Sequence, residues 1–481
     1  MKKFLGLILI FASAVVIALP LEKAKIDEQK ILKYISQLAD DGMEGRKSGE
    51  RSGQRAEEFI AQKFQELGLK PGGESGTYFQ KFTFPMTQTT NPGGLRLVDG
   101  EKTVREYRYG DDYYFFPVSG SGHVRAEVVF IGYGFSRPDK GLDEYKNLDV
   151  EGKILLCLSG APGGREKWDQ DWTDYYKADQ AIKHNALGLL IFDPGDNSQN
   201  LARYRIWAFD LKRLKKGLLF SRVGKAVIDD VLKPSGQTLN LLKSTIDTTL
   251  APQSFRTGVK MNLWAGIIID TEMEAANVMG MIPGSDPDLS DEIVIISGHY
   301  DGGGKDPDGV IYNGANDNAS GIGVLLEIAR VMMDNRVRPR RGILFIGWGA
   351  EEQGAWGSKH FIDHPPVPLG KIASLFVLDC VGLGKGEFWL FGAGHFVKVY
   401  EEIKNHIDPA LLEGFQPREE AGSDQYYFQQ KEVPSFFAHN IRESSNEHTP
   451  QDDVESLNPT ALKKAARLVY EAALYMANKK E

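Results

Sequence analysis

The sequence predicts an α/β fold, with a mostly parallel (mixed) central sheet covered by helices on both faces and a second block of strands inside the chain. Two observations carry this. From about Asn277, apolar runs alternate with loops and helical patterns: "DEIVIISGHYDG", "NASGIGVLLEIARVMMDN", "RGILFIGWGAEEQG", "SLFVLDCVGLG", "VPSFFAHNIRESSNEHTP". Alternation of this kind builds a doubly covered, mainly parallel sheet. The runs are also continuously apolar, the pattern of strands buried on both faces. From about Arg105 to Gln253 the character differs. "AEVVFIGYGF" and "GKILLCLSG" read as strands, "DQAIKHNALGLLIF" as a short helix running into a strand, and "KAVIDDVLKPSGQTLNLLKSTID" as helical with a Pro-Ser-Gly break. A chain of 481 residues is too long for one compact core, so a second domain or an insertion is expected.

The remaining elements follow in order. "MKKFLGLILIFASAVVIALP" places two lysines before an apolar run and small residues, the pattern of a secretory signal peptide over residues 1–20. It predicts an exported protein, periplasmic or secreted, with no membrane span beyond that signal. Ile31, Leu32, Ile35 and Leu38 fall at helical spacing. After a glycine-rich loop, Ala56, Phe59, Ile60, Phe64 and Leu67 share one helical face, with Gly68 as the stop. The chain closes on a helix with Asn458 as cap and Pro459 as first residue. A net charge of −9 without a long basic run argues against nucleic-acid binding. The two cysteines, Cys157 and Cys380, lie in apolar runs and give no disulfide framework.

The chemistry gathers at strand ends. His299 and Asp301 follow "IVIISG", Glu351 and Glu352 follow "ILFIGWG", Asp379 ends "SLFVLD", and His448 lies in the loop after "PSFFAHN". Open α/β sheets form sites outside the carboxyl ends of their strands. Asp317 joins the set just ahead of a helix, whose N–H groups favour a carboxylate. Taken singly, each residue reads as an ordinary cap, turn former or surface group. Together, imidazoles and carboxylates at one edge suit zinc or a similar divalent ion. Five candidate ligands, His299, Asp317, Glu352, Asp379 and His448, fit two ions better than one. A bridging Asp317 would give each ion three protein groups and leave room for a shared water or hydroxide, in a clamp with ions roughly 3.5–4 Å apart. Asp301 is placed to accept the other N–H of the His299 ring. Glu352 would bind metal, while Glu351 would stay free as general base.

These residues resemble the M28 family of zinc aminopeptidases. "SGHYDGG", "GANDNASG", "GAEEQGAWGS", "LDCVG" and "EHTPQDD" occur in that family's order, and "DDGMEGRKSGERSG" resembles its amino-terminal segment. "VVFIGYGF", "DVEGKILLCLSG" and "HNALGLLIF" resemble landmarks of a mainly-β protease-associated (PA) domain. The resemblance implies a zinc-peptidase-type fold split into residues 21–104 and 256–481, with a PA-like insertion over residues 105–255. It implies one Zn2+ on His299, Asp317 and Asp379 and another on Asp317, Glu352 and His448, with Glu351 as base. The expected activity is removal of N-terminal residues from peptides with a free amino end. Asp424 and Tyr426 in "AGSDQYYF" resemble a substrate-side segment, and the same stretch reads equally as a structural turn. Other readings on the same scaffold are a glutaminyl-cyclase-like acyl transferase, a carboxypeptidase using Arg442, and a non-catalytic binding protein.

Overall fold

A computed structural model describes residues 25–89, 93–169, 171–194, 214–306, 308–419, 422–441 and 446–480. The expected export signal and Arg442 lie outside these residues. Among the described residues, no helix is long and apolar enough to cross a membrane.

Four adjacent parallel strands form the centre of a nine-stranded sheet: Gly342–Trp348, Ile293–His299, Ile372–Leu378 and Ser435–Asn440. Antiparallel strands flank them, Ile267–Ile282 on one side and Phe388–Phe391 on the other. Every residue of Ile293–His299 and of Gly342–Trp348 is buried. The side chains sort by period two. Val294, Ile296, Ile343 and Phe345 join one core with the helices Glu28–Leu38, Arg51–Leu67, Ser320–Asp334 and Pro459–Asn478. Ile293, Ile295, Leu344, Ile346 and Trp348 join another, with Phe361 of helix Trp356–Asp363 and Phe428 of helix Gln425–Gln429. This is the doubly covered sheet that the continuous apolar runs predict.

Local signals set the helix ends. Gly68 stops Arg51–Leu67 at φ 81°, a left-handed conformation that glycine adopts without a Cβ penalty. The Asn458 side chain accepts the Thr460 N–H at 2.9 Å, with Pro459 as the first helical residue.

A second sheet of eight strands takes in Gly94–Asp99, Gly122–Phe130, Ile154–Leu158, Gly188–Phe192, Leu219–Val223 and Phe255–Ala265. Helix Asp174–Lys183 packs on one face through Ala178 and Ala181. Helices Lys225–Leu232 and Leu239–Thr249 pack on the other. Cys157 is buried mid-strand in this sheet.

Candidate metal centre

The four parallel strands all point their carboxyl ends to one edge. His299 is the last residue of its strand, Asp379 follows Leu378 directly, and Glu351 and Glu352 come just past Trp348. His448 arrives from the loop beyond Asn440. Asp317 comes from an irregular turn, Ala315–Ala319, that leads into helix Ser320–Asp334.

At this edge the ligand atoms of His299, Asp317 and Asp379 lie within 4.8 Å of one another, as do those of Asp317, Glu352 and His448. Asp317 belongs to both groups through different oxygens. Its Oδ1 is 3.3 Å from His299 Nε2, and its Oδ2 is 2.9 Å from His448 Nε2. His299 Nε2 is also 3.4 Å from Asp379 Oδ1, and His448 Nε2 is 3.2 Å from Glu352 Oε2. Donors bound tetrahedrally at about 2.0–2.1 Å would stand roughly 3.3–3.4 Å apart. The donor set therefore fits zinc in both type and spacing. The field has the matching sign. Burial would lower both imidazole pKa values, yet the surrounding carboxylates hold them well above the ordinary histidine range.

The adjacent glutamates diverge. Glu352 faces His448, whereas Glu351 Oε2 lies 4.0 Å from His299 Nε2. Burial pushes the Glu351 carboxyl well above the usual carboxylate range, against the pull of His299. Asp301 fixes the backbone of the pair, accepting the N–H of Glu351 and of Glu352 at 3.2 Å each. Asp301 offers the His299 ring two acceptors, its main-chain carbonyl and its carboxylate. His299 Nδ1 lies 3.2 Å from the Asp301 main-chain carbonyl and 3.6 Å from its carboxylate. The carbonyl is thus the nearer acceptor for the ring, because the carboxylate turns toward the glutamate backbone. Either way Nε2 faces Asp317 and Asp379.

Three supports escaped sequence reading. Asp452 accepts the N–H groups of Asn316 and Asp317, at 2.8 and 2.9 Å. Asn318 donates to the Leu378 carbonyl at 2.8 Å and accepts the Cys380 N–H at 3.3 Å, which ties the Asp317 turn to the Asp379 loop. Arg46, fully buried, donates to the carbonyls of Leu38, Tyr300, Asn313 and Gly314 at 2.6–2.8 Å. It thereby joins the first helix to the His299 and Asp317 loops.

The centre opens into a cavity of about 540 Å³. Its lining includes the acids Asp317, Glu351, Glu352, Asp379 and Glu447 and the aromatic residues Trp389, Phe391, Tyr426, Tyr427 and Phe437. Ser423 also lines it and donates to Asp379 Oδ2 at 2.8 Å. Tyr426 is exposed and lines the cavity, whereas Asp424 is buried, and that burial pushes its carboxyl up to about 7.

Residues 277–473 match the model of peptidase family M28. Among curated relatives, Aminopeptidase YwaD of Bacillus subtilis is 28% identical over 357 residues, 69% of the chain and 64% of that protein. A Glutamate carboxypeptidase 2 homolog of Caenorhabditis elegans is 26% identical over 321 residues, 55% of the chain and 38% of that protein. The alignments thus span between about two fifths and two thirds of these relatives. In fold, the chain is similar to an aminopeptidase from Aneurinibacillus sp. strain AM-1, with TM-score 0.67, 21% identity and 95% of each chain covered. It is equally similar to BSAP, a zinc aminopeptidase from Bacillus subtilis, with TM-score 0.67, 22% identity, and 96% and 97% of the two chains covered.

Proposed function

We propose that this chain is an exported di-zinc aminopeptidase of the M28 type that removes N-terminal residues from peptides. The observation that carries the reading is the placement of Asp317, whose two carboxylate oxygens face two different imidazoles, each with a further acid beside it. One zinc would be held by His299, Asp317 and Asp379, the other by Asp317, Glu352 and His448. When bound, the zinc pair supplies Lewis acidity toward the scissile carbonyl and the attacking water.

The chain's own groups do the rest. Glu351 takes the proton of the attacking water and returns it to the leaving amine, a role that its raised proton affinity supports. Asp301 holds Glu351 and Glu352 in register through their N–H groups. The acids that line the cavity attract a free α-ammonium group and repel a terminal carboxylate, which favours the aminopeptidase over the carboxypeptidase reading. The aromatic lining residues bury the first side chain of the substrate and shed its water. The strands around Ile154–Leu158 and Gly188–Phe192 would form the PA-like insertion.

The test is hydrolysis of a panel of aminoacyl-p-nitroanilides, each with and without N-acetylation, by zinc-loaded, chelator-treated and zinc-restored protein. Cleavage confined to free-amine substrates, lost with chelator and regained with zinc, is the expected result. Cleavage of acetylated substrates, or none by zinc-loaded protein, would overturn the proposal.

A further inference from the structure

A third cluster of metal-binding side chains stands in the same cavity. The Cys380 Sγ, a ring nitrogen of His439 and a carboxylate oxygen of Glu447 all lie within 4.8 Å of one another. None of them belongs to the two groups that meet at Asp317. Two are sequence neighbours of those groups, since Cys380 follows Asp379 and Glu447 precedes His448. We propose that Cys380, His439 and Glu447 form a third site for zinc or a similarly soft divalent ion, and that an ion there obstructs the substrate cavity.

Four observations support the site. His439 Nδ1 lies 2.9 Å from the Asn440 carbonyl, so that nitrogen carries the hydrogen and Nε2 presents its lone pair. Nε2 in turn lies 3.6 Å from Glu447 Oε1, close to the spacing of donors that share one ion. The ring is held in place, with Trp389 stacked on it at 6.1 Å between centroids and Phe437 edge-on at 5.6 Å. The cysteine is held as well: its carbonyl accepts the Asn440 N–H at 3.0 Å, and its N–H reaches Asn318 Oδ1 at 3.3 Å. A metal-ligating imidazole oriented by a backbone carbonyl is a recurrent arrangement.

The donor types choose the ion. Thiolate, imidazole and carboxylate together favour zinc or cadmium over magnesium or calcium, which take oxygen ligands. Three protein donors leave at least one position open in a tetrahedral ion. All three residues line the cavity, so that position faces the space a substrate must enter. Metal binding stands on these three side chains alone; only the obstruction rests on the aminopeptidase reading.

The test counts ions on the full chain. Metal-free protein is dialysed to equilibrium against a series of buffered free-zinc concentrations, and bound zinc is measured by elemental analysis. Wild type is compared with Cys380→Ser and His439→Gln, each checked for native circular dichroism. A parallel titration with cobalt reads the thiolate-to-cobalt charge-transfer band in the near ultraviolet. Wild type should hold one ion more than either variant and show the band, which Cys380→Ser should lack. Equal counts in all three proteins, with no thiolate band in wild type, would overturn the site. Because the readout is a difference of one ion, it does not depend on how many the Asp317 centre holds. Where hydrolysis is measurable, the zinc concentration that halves each protein's own rate should rise at least about tenfold in Cys380→Ser, the scale set by losing one ligand-shell group. An unchanged value would overturn the obstruction and leave the site standing. Absence of hydrolysis in every protein, with the ion difference intact, would count against the aminopeptidase reading alone.

Discussion

Asp452 Oδ2 accepts the backbone N–H of Asp317 at 2.9 Å, so an acid outside the proposed ligand set orients the one that bridges it. Its other oxygen accepts the Asn316 N–H at 2.8 Å. In Asp452→Asn one of these N–H groups would meet an amide nitrogen instead of an oxygen. Loss of such a support typically lowers metal affinity by about 10–100-fold. Competition with a zinc chelator should register this as earlier loss of zinc, with kcat recovering at saturating metal.

Arg46 is a buried cation held by four main-chain carbonyls. Burial lowers its pKa to about 10, opposed by Asp452, Asp301, Asp317 and Glu352. Lysine carries the same charge on a single nitrogen and cannot span acceptors spread around a planar fork. Hydrogen bonds from a charged donor contribute about 1.5–3 kcal/mol each, so losing two should cost about 3 kcal/mol or more. Urea unfolding of metal-free Arg46→Lys would measure it.

Glu351→Gln keeps the size of the side chain and removes its basicity. General-base catalysis contributes about 10²–10⁴ in rate, and kcat should fall within that range. Zinc content should stay at the wild-type level, because Glu352 rather than Glu351 faces His448. A parallel loss of zinc would move Glu351 into the ligand set.

Stability should depend on pH through Glu57. Its Oε1 accepts the Tyr300 hydroxyl at 2.7 Å and the Ala276 N–H at 3.1 Å, and burial raises its pKa from 4.5 to about 7. Between those values the folded chain keeps a proton that the unfolded chain has released, so this contribution is complete below pH 4.5 and is lost as pH rises through about 7. The expected loss is on the order of 3 kcal/mol. Denaturant midpoints measured from acid to neutral pH should therefore fall less steeply in Glu57→Gln than in wild type.

How much of this was legible depends on where each residue's partner lies. His299, Glu351, Glu352 and Asp379 stand at or just beyond continuous apolar runs, and strand burial marks such positions in the sequence itself. His448 was recoverable only with the alternation and the "EHTPQDD" stretch in view. Asp452 sits in that same stretch and was passed over, because its partners are main-chain N–H groups that leave no mark on residue identity. Arg46 read as part of a loop for the same reason: one of its acceptors, the Tyr300 carbonyl, lies 254 residues away. Cys380 was read as part of a strand core, but its strand stops at Leu378, and at φ 56° the cysteine turns into the cavity wall. The strand Phe255–Ala265 alternates buried with more exposed residues, a period-two signal that was present in the sequence and went unused.

The connection between the two sheets has a consequence for how such a chain could arise. Ile267 pairs with Thr89, and Ala276 with Lys81, on neighbouring antiparallel strands, so the chain leaves the catalytic sheet and re-enters it at facing positions. A short hairpin turn would join the same two strands without moving any ligand-bearing strand. Every strand of the second sheet falls between Thr89 and Ile267, so a single insertion or deletion at that point would add or remove it whole.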